Sequence, residues 1–259
     1  MMRIATFNAN SIRARLPMVL DWLARFRPDV LCLQETKVQD KDFPAESFLE
    51  AGFNAVFRGQ KSYNGVAVIS KLPLVEVSLN LKREGDQEAR LIGAKISDMA
   101  LINVYVPQGF SPETEKFVYK LRWMKDLLFL LQRDYDPHQP LLVAGDFNVA
   151  LEPNDVYDPE GLRGQVGFHP DEQAMMREIL DWGLVDVFRK HEPGGGHYTF
   201  WDYRIPKGFK RNMGWRIDYI LATRPVVERS QKAWIDRECR ALGKSSDHTF
   251  LVAEFDINL

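Results

Sequence analysis

Short apolar runs rich in valine, isoleucine and leucine recur along the whole chain. Many of their residues are β-branched, and each run is short, a pattern that favours strands over helices. The predicted strands are Ile4–Phe7, Val30–Leu33, Ala55–Phe57, Val66–Ile69, Leu74–Val77, Leu91–Ile96, Leu101–Val106, Leu141–Ala144, Ile217–Leu221 and Phe250–Phe255. Several of these runs follow one another with no helical pattern between them, which excludes a strict alternation of strand and helix.

Helical spacing appears in three places between the strands. The first predicted helix has apolar residues on one face, at Leu16, Val19, Leu20, Leu23 and Phe26. Ser111 and Pro112 are predicted to be the N-cap and first residue of a second helix. Pro170 is predicted to open the third helix. Two sheets packed together with helices outside them fit this distribution.

The composition is that of an ordinary globular domain. The chain has 259 residues, of which 45% are hydrophobic and 27% charged, so it can bury a stable core. No low-complexity linker divides it, and a single domain over residues 1–259 is predicted. The net charge of −2 counts mildly against a nucleic-acid partner. It does not exclude one, because the acidic cluster of a metal site can mask a basic face in the total.

Cysteine usage and the N-terminal sequence favour a cytoplasmic protein. The two cysteines form no disulfide framework, and Cys32 lies inside an apolar run where a buried thiol is expected. The N-terminal residues are typical of a strand rather than of a signal peptide. No apolar run approaches the length of about 18 residues that a membrane span requires, so no membrane association is expected.

Polar side chains stand where the predicted strands end. They are Asn8, Glu35, Tyr105, Asp146 with Asn148, Asp218, and Asp247 with His248. One such residue is usually only a turn or cap residue, but this set combines carboxylates, carboxamides, a phenol and an imidazole. Hard oxygen ligands suit Mg²⁺ or Mn²⁺, and the lack of Cys/His clusters argues against structural zinc. The same mixture suits phosphate ester hydrolysis, which requires charge neutralisation, an oriented water and a stabilised leaving group.

At these residues the chain closely resembles the exonuclease III family of abasic-site endonucleases, within the superfamily that includes deoxyribonuclease I. The matching segments are FNANSIR at 7–13, LQETK at 33–37, NVYVP at 103–107, GDFN at 145–148, YTFWDY at 198–203, GWRIDYIL at 214–221 and SDH at 246–248. Ser11 and Gln108 depart from the family, which often has Gly and Asn there. The resemblance implies an α+β fold, a four-layer αββα sandwich of two mainly antiparallel sheets face to face with helices outside.

The resemblance also implies roles for the polar set and a Mg²⁺ cofactor, with Mn²⁺ as a substitute. Glu35 resembles the main metal ligand, with a salt bridge to Lys37 or to an arginine as the competing interpretation. The residues expected beside the metal are Asn8, Asn10, Asp146, Asn148 and Asp247. The residues expected to act on the phosphate or the attacking water are Tyr105, Asp146, Asn148, Asp218 and His248. Among them, Asp146 would orient or deprotonate the water, and Asp218 would fix the ring of His248.

Further segments match the family's DNA-contacting parts. The expected DNA contacts are Arg13, Lys37, Tyr63, Asn64, Gly65, Gln108, Lys207, Lys210 and Arg211. For the last three, a solvated basic surface is the competing interpretation. Phe200, Trp215 and Ile217 match the apolar pocket that receives a flipped sugar without its base, although core packing also explains such residues. Loop residues Gln165, His169 and Arg204 are candidates for setting the balance between activities.

The function that the resemblance implies is Mg²⁺-dependent hydrolysis of the phosphodiester bond 5′ to abasic sites, within base excision repair. Action on 3′ ends, as a 3′→5′ exonuclease, 3′-phosphodiesterase or 3′-phosphatase, is expected beside it. The partner would be double-stranded DNA carrying abasic sites or damaged 3′ ends, bound by a monomer. Two alternatives stay open. One is another phosphoesterase of the superfamily, with the metal motifs but a different pocket. The other is a catalytically silent DNA-binding homologue.

Overall fold

Two six-stranded sheets form the centre of the molecule in the computed structural model, which describes residues 1–79, 81 and 88–257. The strands within these residues are β1 Met2–Asn8, β2 Val30–Gln34, β3 Asn54–Arg58, β4 Val66–Ser70, β5 Val75–Ser78, β6 Leu91–Ile96, β7 Met99–Tyr105, β8 Leu141–Asp146, β9 Leu184–Asp186, β10 Asp218–Thr223, β11 Ser230–Asp236 and β12 Phe250–Phe255. The α-helices are α1 Ile12–Phe26, α2 Ala45–Glu50, α3 Glu115–Asp134, α4 Pro170–Asp181, α5 Val187–His191, α6 Arg224–Val227 and α7 Arg237–Ala241.

Strand pairing is mainly antiparallel in both sheets. One sheet has the order β11-β12-β1-β2-β4-β3, and the other has the order β5-β6-β7-β8-β10-β9. Only the β1–β2 and β7–β8 pairs are parallel among the pairs of the described strands. In each sheet the parallel pair lies at the centre. The strand β12 runs antiparallel to β1, and β10 runs antiparallel to β8.

Three apolar layers hold the sheets and helices together. The inner layer lies between the sheets. It contains residues such as Ile4 and Val68 from one sheet and Leu101 from the other. A second layer packs α1 and α2 against the outer face of the first sheet, and a third packs α3 and α4 against the outer face of the second. This arrangement confirms the predicted α+β, four-layer αββα sandwich.

The second predicted helix begins later than the sequence suggested. Each of the ten predicted strands overlaps an observed strand, and Pro170 does open α4. The assignment of Ser111 and Pro112 as helix start was wrong, because α3 begins at Glu115 with Thr114 as N-cap. The Ser111 hydroxyl donates to Glu113, and the Thr114 amide donates to the Ser111 carbonyl. These bonds make a separate turn before the helix.

Two strands escaped the sequence pattern. The strand β9 has only three residues, and β11 begins with three polar residues, Ser230, Gln231 and Lys232, before its apolar part. Both are edge strands, which pair on one side only and therefore carry a weaker apolar signal. Cys32 and Cys239 are both buried thiols. Among the helices of the described residues, none has the length and apolar character needed to cross a membrane.

Candidate active site

The alternation of side chains along the strands brings the polar set to one edge of the sandwich. In β1, Ile4 belongs to the layer between the sheets and Ala5 to the outer layer, so Asn8 shares the inner face with Ile4. In β8, Ala144 likewise points between the sheets, and Asp146 follows on the same face. Because β10 and β12 run opposite to these strands, their starting residues reach the same edge.

Asn8 joins the two sheets at this edge. Its buried amide nitrogen donates to Glu35 Oε1 at 2.9 Å and to Asp146 Oδ2 at 2.8 Å. Its amide oxygen accepts from the backbone N–H of Asn10 at 3.0 Å. All hydrogen-bonding groups of the side chain are therefore engaged. Asn8 fixes the distance between a carboxylate of the first sheet and one of the second.

Asp146, His248 and Asp218 form a buried line of titratable groups. His248 Nδ1 lies 2.8 Å from Asp218 Oδ2, and its Nε2 lies 3.8 Å from Asp146 Oδ2. The start of β10 is held in place by Thr199, whose hydroxyl accepts from the backbone N–H of Asp218 at 3.2 Å. Asp218 and Asp146 are also paired across β10 and β8. This register places the imidazole between two carboxylates.

Burial and mutual charge set the protonation of these groups. Burial, and next the neighbouring Asp218 carboxylate, raise the pKa of Asp146 to about 7. Burial alone would lower the pKa of His248, but the Asp218 and Asp146 carboxylates outweigh it and raise that pKa to about 10. The imidazole is therefore cationic at neutral pH. Such a ring is suited to donating a hydrogen bond to an anionic phosphate oxygen.

Asn148 and Tyr105 line the cleft together with Glu35. The Asn148 backbone N–H donates to Asp146 Oδ1 at 2.8 Å, and its side-chain amide donates to the Val106 carbonyl at 3.0 Å. Tyr105 ends β7, and its phenol donates a hydrogen bond to Glu35. Burial and the carboxylates of Glu35 and Asp146 raise the pKa of Tyr105 well above its usual value. The phenol is therefore a neutral donor at physiological pH.

Oxygens of Glu35 and Asn10 converge on one cation, the Lys37 ammonium. Lys37 Nζ lies 2.8 Å from Glu35 Oε2 and 2.5 Å from Asn10 Oδ1. Asn10 also donates to Asp247 Oδ1 at 3.0 Å, which brings a second carboxylate to this place. Burial would raise the pKa of Glu35, but Lys37 and Asn8 outweigh it and hold that pKa below its ordinary value.

The contacts of the ammonium show that this set of oxygens attracts a cation. Carboxylate and amide oxygens are the ligands that suit Mg²⁺. A second group, Asp146, Asp218 and His248, has ligand atoms within 4.8 Å of one another. There, however, His248 already pairs with Asp218, and the oxygens of Asp146 accept from Asn8 and Asn148. The residues around Glu35 therefore fit a divalent cation better.

A cleft of about 500 Å³ opens beside these groups. Its lining includes Glu35, Tyr105, Asn148, Asp247 and His248. It also includes the predicted apolar pocket residues Phe200, Trp215 and Ile217, together with Tyr157 and Leu162. The catalytic groups and the apolar pocket therefore share one cavity.

Short bridges hold the apolar side of the cleft. Phe200 forms β-bridges with Trp215 and with His248, and its ring lies 4.9 Å from the His248 ring. Ile217 packs with Leu162 and Phe168 in a small apolar cluster, against which Phe200 and Trp215 lie half-buried. These residues therefore pack in the core and also line the cleft, and their role in binding a sugar stays a prediction.

The predicted DNA contacts differ in their exposure to solvent. Tyr63 is exposed over 71% of its surface, whereas Asn64 is buried. Gly65 has a φ of +92°, and a Cβ there would meet the Thr36 hydroxyl at 2.1 Å. Asn64 and Gly65 thus shape the segment after Glu35, since their carbonyls accept from the N–H groups of Lys37 and Thr36.

Other predicted contacts are partly engaged within the protein. Arg13 forms an exposed ion pair with Asp42, with Nη2 and Oδ2 3.2 Å apart. Gln108 lines the cleft, and its side-chain oxygen accepts from the N–H of Phe110 at 2.7 Å. The three basic residues of the loop after Tyr203 are exposed, and two of them line a shallow groove next to the cleft: Lys207, Lys210 and Arg211.

The three candidate selectivity residues separate into two groups. Gln165 and Arg204 line the cleft. Arg204 pairs with Asp202, with Nη2 and Oδ2 2.6 Å apart, at the mouth of the apolar side. His169 instead caps α4, where its Nδ1 accepts from the Asp171 N–H at 3.2 Å.

Two site-supporting residues were missing from the sequence reasoning. Lys120 on α3 and Glu172 on α4 are fully buried and pair directly behind Asn148. The signal was present, because Lys120 lies three residues after Phe117 and four before Met124, on the apolar face of its helix. A lysine on an apolar stripe indicates a buried partner.

Comparison with known proteins places this site in a family. Residues 5–248 match the model of the Endonuclease/Exonuclease/phosphatase family. Exodeoxyribonuclease III of Haemophilus influenzae is 34% identical over 267 residues, covering 98% of this chain and 100% of that protein.

Solved structures agree with the family match. An AP endonuclease from Archaeoglobus fulgidus is 45% identical, with a TM-score of 0.97 over 99% of this chain and 100% of that one. A 3′ phosphatase from Neisseria, bound to a product DNA hairpin, is 37% identical, with a TM-score of 0.96 over the same shares. The chain therefore belongs to the endonuclease/exonuclease/phosphatase family, in its exonuclease III and AP endonuclease branch, and is a hydrolase.

Proposed function

We propose that this protein is a Mg²⁺-dependent DNA repair nuclease that cleaves the phosphodiester bond 5′ to abasic sites and processes DNA 3′ ends. One observation carries the proposal: Asn8 joins Glu35 to Asp146, and His248 lies against Asp146, at the wall of a cleft with an apolar side. This arrangement offers a cation site, a water-orienting carboxylate and a cationic donor within one cavity. Relatives named for abasic and 3′-end activities support both substrates.

The residues divide the work on the scissile phosphate. His248, held cationic by Asp218, donates a hydrogen bond to a phosphate oxygen. The Asn148 amide and the Tyr105 phenol, which donate to Val106, Asp146 and Glu35 in this structure, would turn to the phosphate when it binds. Asp146, with a pKa raised to about 7, accepts a proton from the attacking water near neutral pH. Preorganised donors of this kind stabilise the charge that develops in the transition state.

Glu35, Asn10 and Asp247 would hold the divalent cation, which supplies positive charge against the phosphate. For the cation to bind there, the Lys37 ammonium must leave Glu35 and Asn10. Lys37 then becomes available to a DNA phosphate, which agrees with the DNA contact that the sequence predicted.

The apolar side of the cleft favours a flipped sugar that lacks its base. Phe200, Trp215 and Ile217 offer mainly apolar surface to the cleft. Extruding an abasic nucleotide costs less than extruding a normal one, because pairing and stacking are already lost. The exposed basic loop, with Lys210 and Arg211, lies where it can contact the flanking backbone.

Cleavage of two end-labelled duplexes tests the proposal. One duplex carries a single abasic site, and the other carries an intact recessed 3′ end. Each is incubated with Mg²⁺ or with EDTA. We expect Mg²⁺-dependent incision 5′ to the abasic site that EDTA abolishes. An intact abasic strand in Mg²⁺ would refute the proposal and would leave the DNA-binding homologue as the better interpretation.

Two variants test the assigned roles. Glu35→Ala and Asp146→Asn should each lower turnover by orders of magnitude while binding of the duplex largely survives, because neither carboxylate contributes affinity for an anionic strand. Turnover close to that of the wild type in either variant would remove the role assigned to that residue.

The rival phosphoesterases are distinguished by substrate. Phospholipid, inositol phosphate and RNA substrates offered beside the abasic duplex should be cleaved far more slowly, since the apolar wall fits a bare sugar. A monomeric state, a cytoplasmic location, a single catalytic domain over 1–259 and a role in base excision repair stay predictions.

A further inference from the structure

A fully buried ion pair lies directly behind the cleft. Lys120 of α3 and Glu172 of α4 both have side chains that are 0% exposed, with Nζ and Oε2 2.9 Å apart. Burial lowers the pKa of Lys120 and raises that of Glu172, so each charge opposes its environment and depends on the other. Such pairs are weak sources of stability, because desolvation offsets much of their attraction.

Every donor of the Lys120 ammonium is used, and two of them hold backbone of the cleft. Besides Glu172, the ammonium donates to the Asn148 carbonyl at 2.7 Å and to the Gln108 carbonyl at 3.3 Å. Asn148 and Gln108 both line the cleft. The pair therefore fixes the loop after β7 relative to the loop after β8.

Glu172 extends this connection to a third loop. Its carboxylate accepts from the Gly167 N–H at 2.9 and 3.0 Å, and Gly167 also lines the cleft. The Gly167 carbonyl in turn accepts from the Ala150 N–H at 2.6 Å. A Cβ on Gly167 would lie 3.1 Å from the Trp215 ring, so this loop sits directly against the apolar wall.

We propose that Lys120 and Glu172 are positioning residues, which hold the Asn148 loop, the Gln108 loop and the Gly167 loop in the relative positions that catalysis requires. Neither side chain reaches the cleft, so both act through the backbone they hold. The pair links the amide that faces the phosphate to the wall that faces the sugar. This inference rests on the proposed function for its reaction, and on the geometry alone for its effect on the loops.

Replacing both charges by methionine separates positioning from stability. The Lys120→Met, Glu172→Met variant keeps similar side-chain volume and removes the desolvation cost of both charges. It also takes their partners from the Asn148 and Gln108 carbonyls and the Gly167 N–H, so its melting temperature should fall by about 2–4 °C for each kcal/mol lost while the protein stays folded. The kcat for the abasic duplex should fall about 10- to 100-fold, because small displacements of catalytic groups have effects of this size. The KM should change less than the kcat, since Gln108 is the one predicted DNA contact on a loop that the pair holds.

A control pair tests whether any lost ion pair has this effect. Arg3 and Glu254 pair at the opposite end of β1 from Asn8, with Nη2 and Oε1 2.6 Å apart. The Arg3→Met, Glu254→Gln variant should keep the wild-type kcat. If the double methionine variant does not fold, Glu172→Gln takes its place, because glutamine keeps one acceptor oxygen and the same volume. Its kcat should fall about tenfold.

Amide hydrogen exchange judges the inference without any substrate. In the methionine variant the amides of Ala150 and Gly167 should lose protection, while amides in the middle of α3 and β8 keep theirs. A wild type that leaves abasic DNA intact would overturn the proposed function only, and the exchange result would still decide the inference. A folded variant with unchanged kcat, or with unchanged exchange at both amides, would overturn the positioning role.

Discussion

Replacing Asp218 by asparagine removes the carboxylate that holds the His248 ring. Asp218 Oδ2 lies 2.8 Å from His248 Nδ1, and both groups are buried. Although burial lowers it, the pKa of His248 is raised from 6.5 to about 10, with Asp218 as the strongest opposing charge. The folded protein therefore holds the imidazolium at neutral pH and loses it only as the pH rises through about 10. In the Asp218→Asn variant this pKa falls back toward 6.5.

The size of the effect follows from that pKa. A rise from 6.5 to about 10 corresponds to roughly 5 kcal/mol in favour of the charged ring, at about 1.4 kcal/mol per pH unit. Asp218 and Asp146 share this preference. Loss of one preorganised donor to a developing charge lowers kcat about 10²–10³-fold, and loss of the aspartate in comparable His–Asp pairs lowers it about 10⁴-fold. We expect a fall within this range.

Single-turnover cleavage of the abasic duplex, combined with an NMR titration of the His248 ring, measures both effects. The matched control is Asp202→Asn, which removes a carboxylate that lines the same cleft and pairs with Arg204. The control should titrate as the wild type does. An Asp218→Asn variant with kcat within about threefold of the wild type, or with an unchanged His248 pKa, would refute the reasoning from charge.

Three further perturbations have defined outcomes. Asn8→Ala should lower the free energy of unfolding, measured in urea at neutral pH, by about 2–4 kcal/mol. The loss should be smaller in acid, where the Glu35 and Asp146 carboxylates are protonated, and an equal loss at both pH values would contradict the role of the Asn8 amide as a donor to these carboxylates. Lys210→Ala with Arg211→Ala should weaken DNA binding and flatten its dependence on salt, and an unaltered slope would remove the loop from the interface. Exchange of Gln165 or Arg204 for alanine should alter the ratio of abasic to 3′-end cleavage, and an unchanged ratio would end that hypothesis.

The strands and the polar set were predictable from the sequence because both depend on local patterns. The period of two along β1 places Asn8 on the same face as Ile4, and the same rule holds for Asp146 in β8. The positions of Glu35 and His248 follow once the strands are paired. The start of α3 was not predictable in this way, because Ser111 forms a turn through its neighbours' backbone groups.

Contacts between distant loops could not be derived from local patterns. Lys120 and Glu172 are 52 residues apart and meet only because α3 and α4 pack on the same face of one sheet. The Lys37 ammonium was expected at DNA, with an ion pair to Glu35 as the competing interpretation, and it lies on Glu35 and Asn10. Both features concern buried or half-buried charge, whose partners are set by tertiary packing rather than by sequence spacing.

The most direct test of the account is the position of a bound cation. Crystals soaked in Mn²⁺ give an anomalous signal wherever the ion binds. We expect a peak against the Glu35 carboxylate, beside Asn10 and Asp247, with the Lys37 ammonium displaced from Glu35. A peak between Asp146, Asp218 and His248 with none at Glu35, or no peak in the cleft at all, would contradict it.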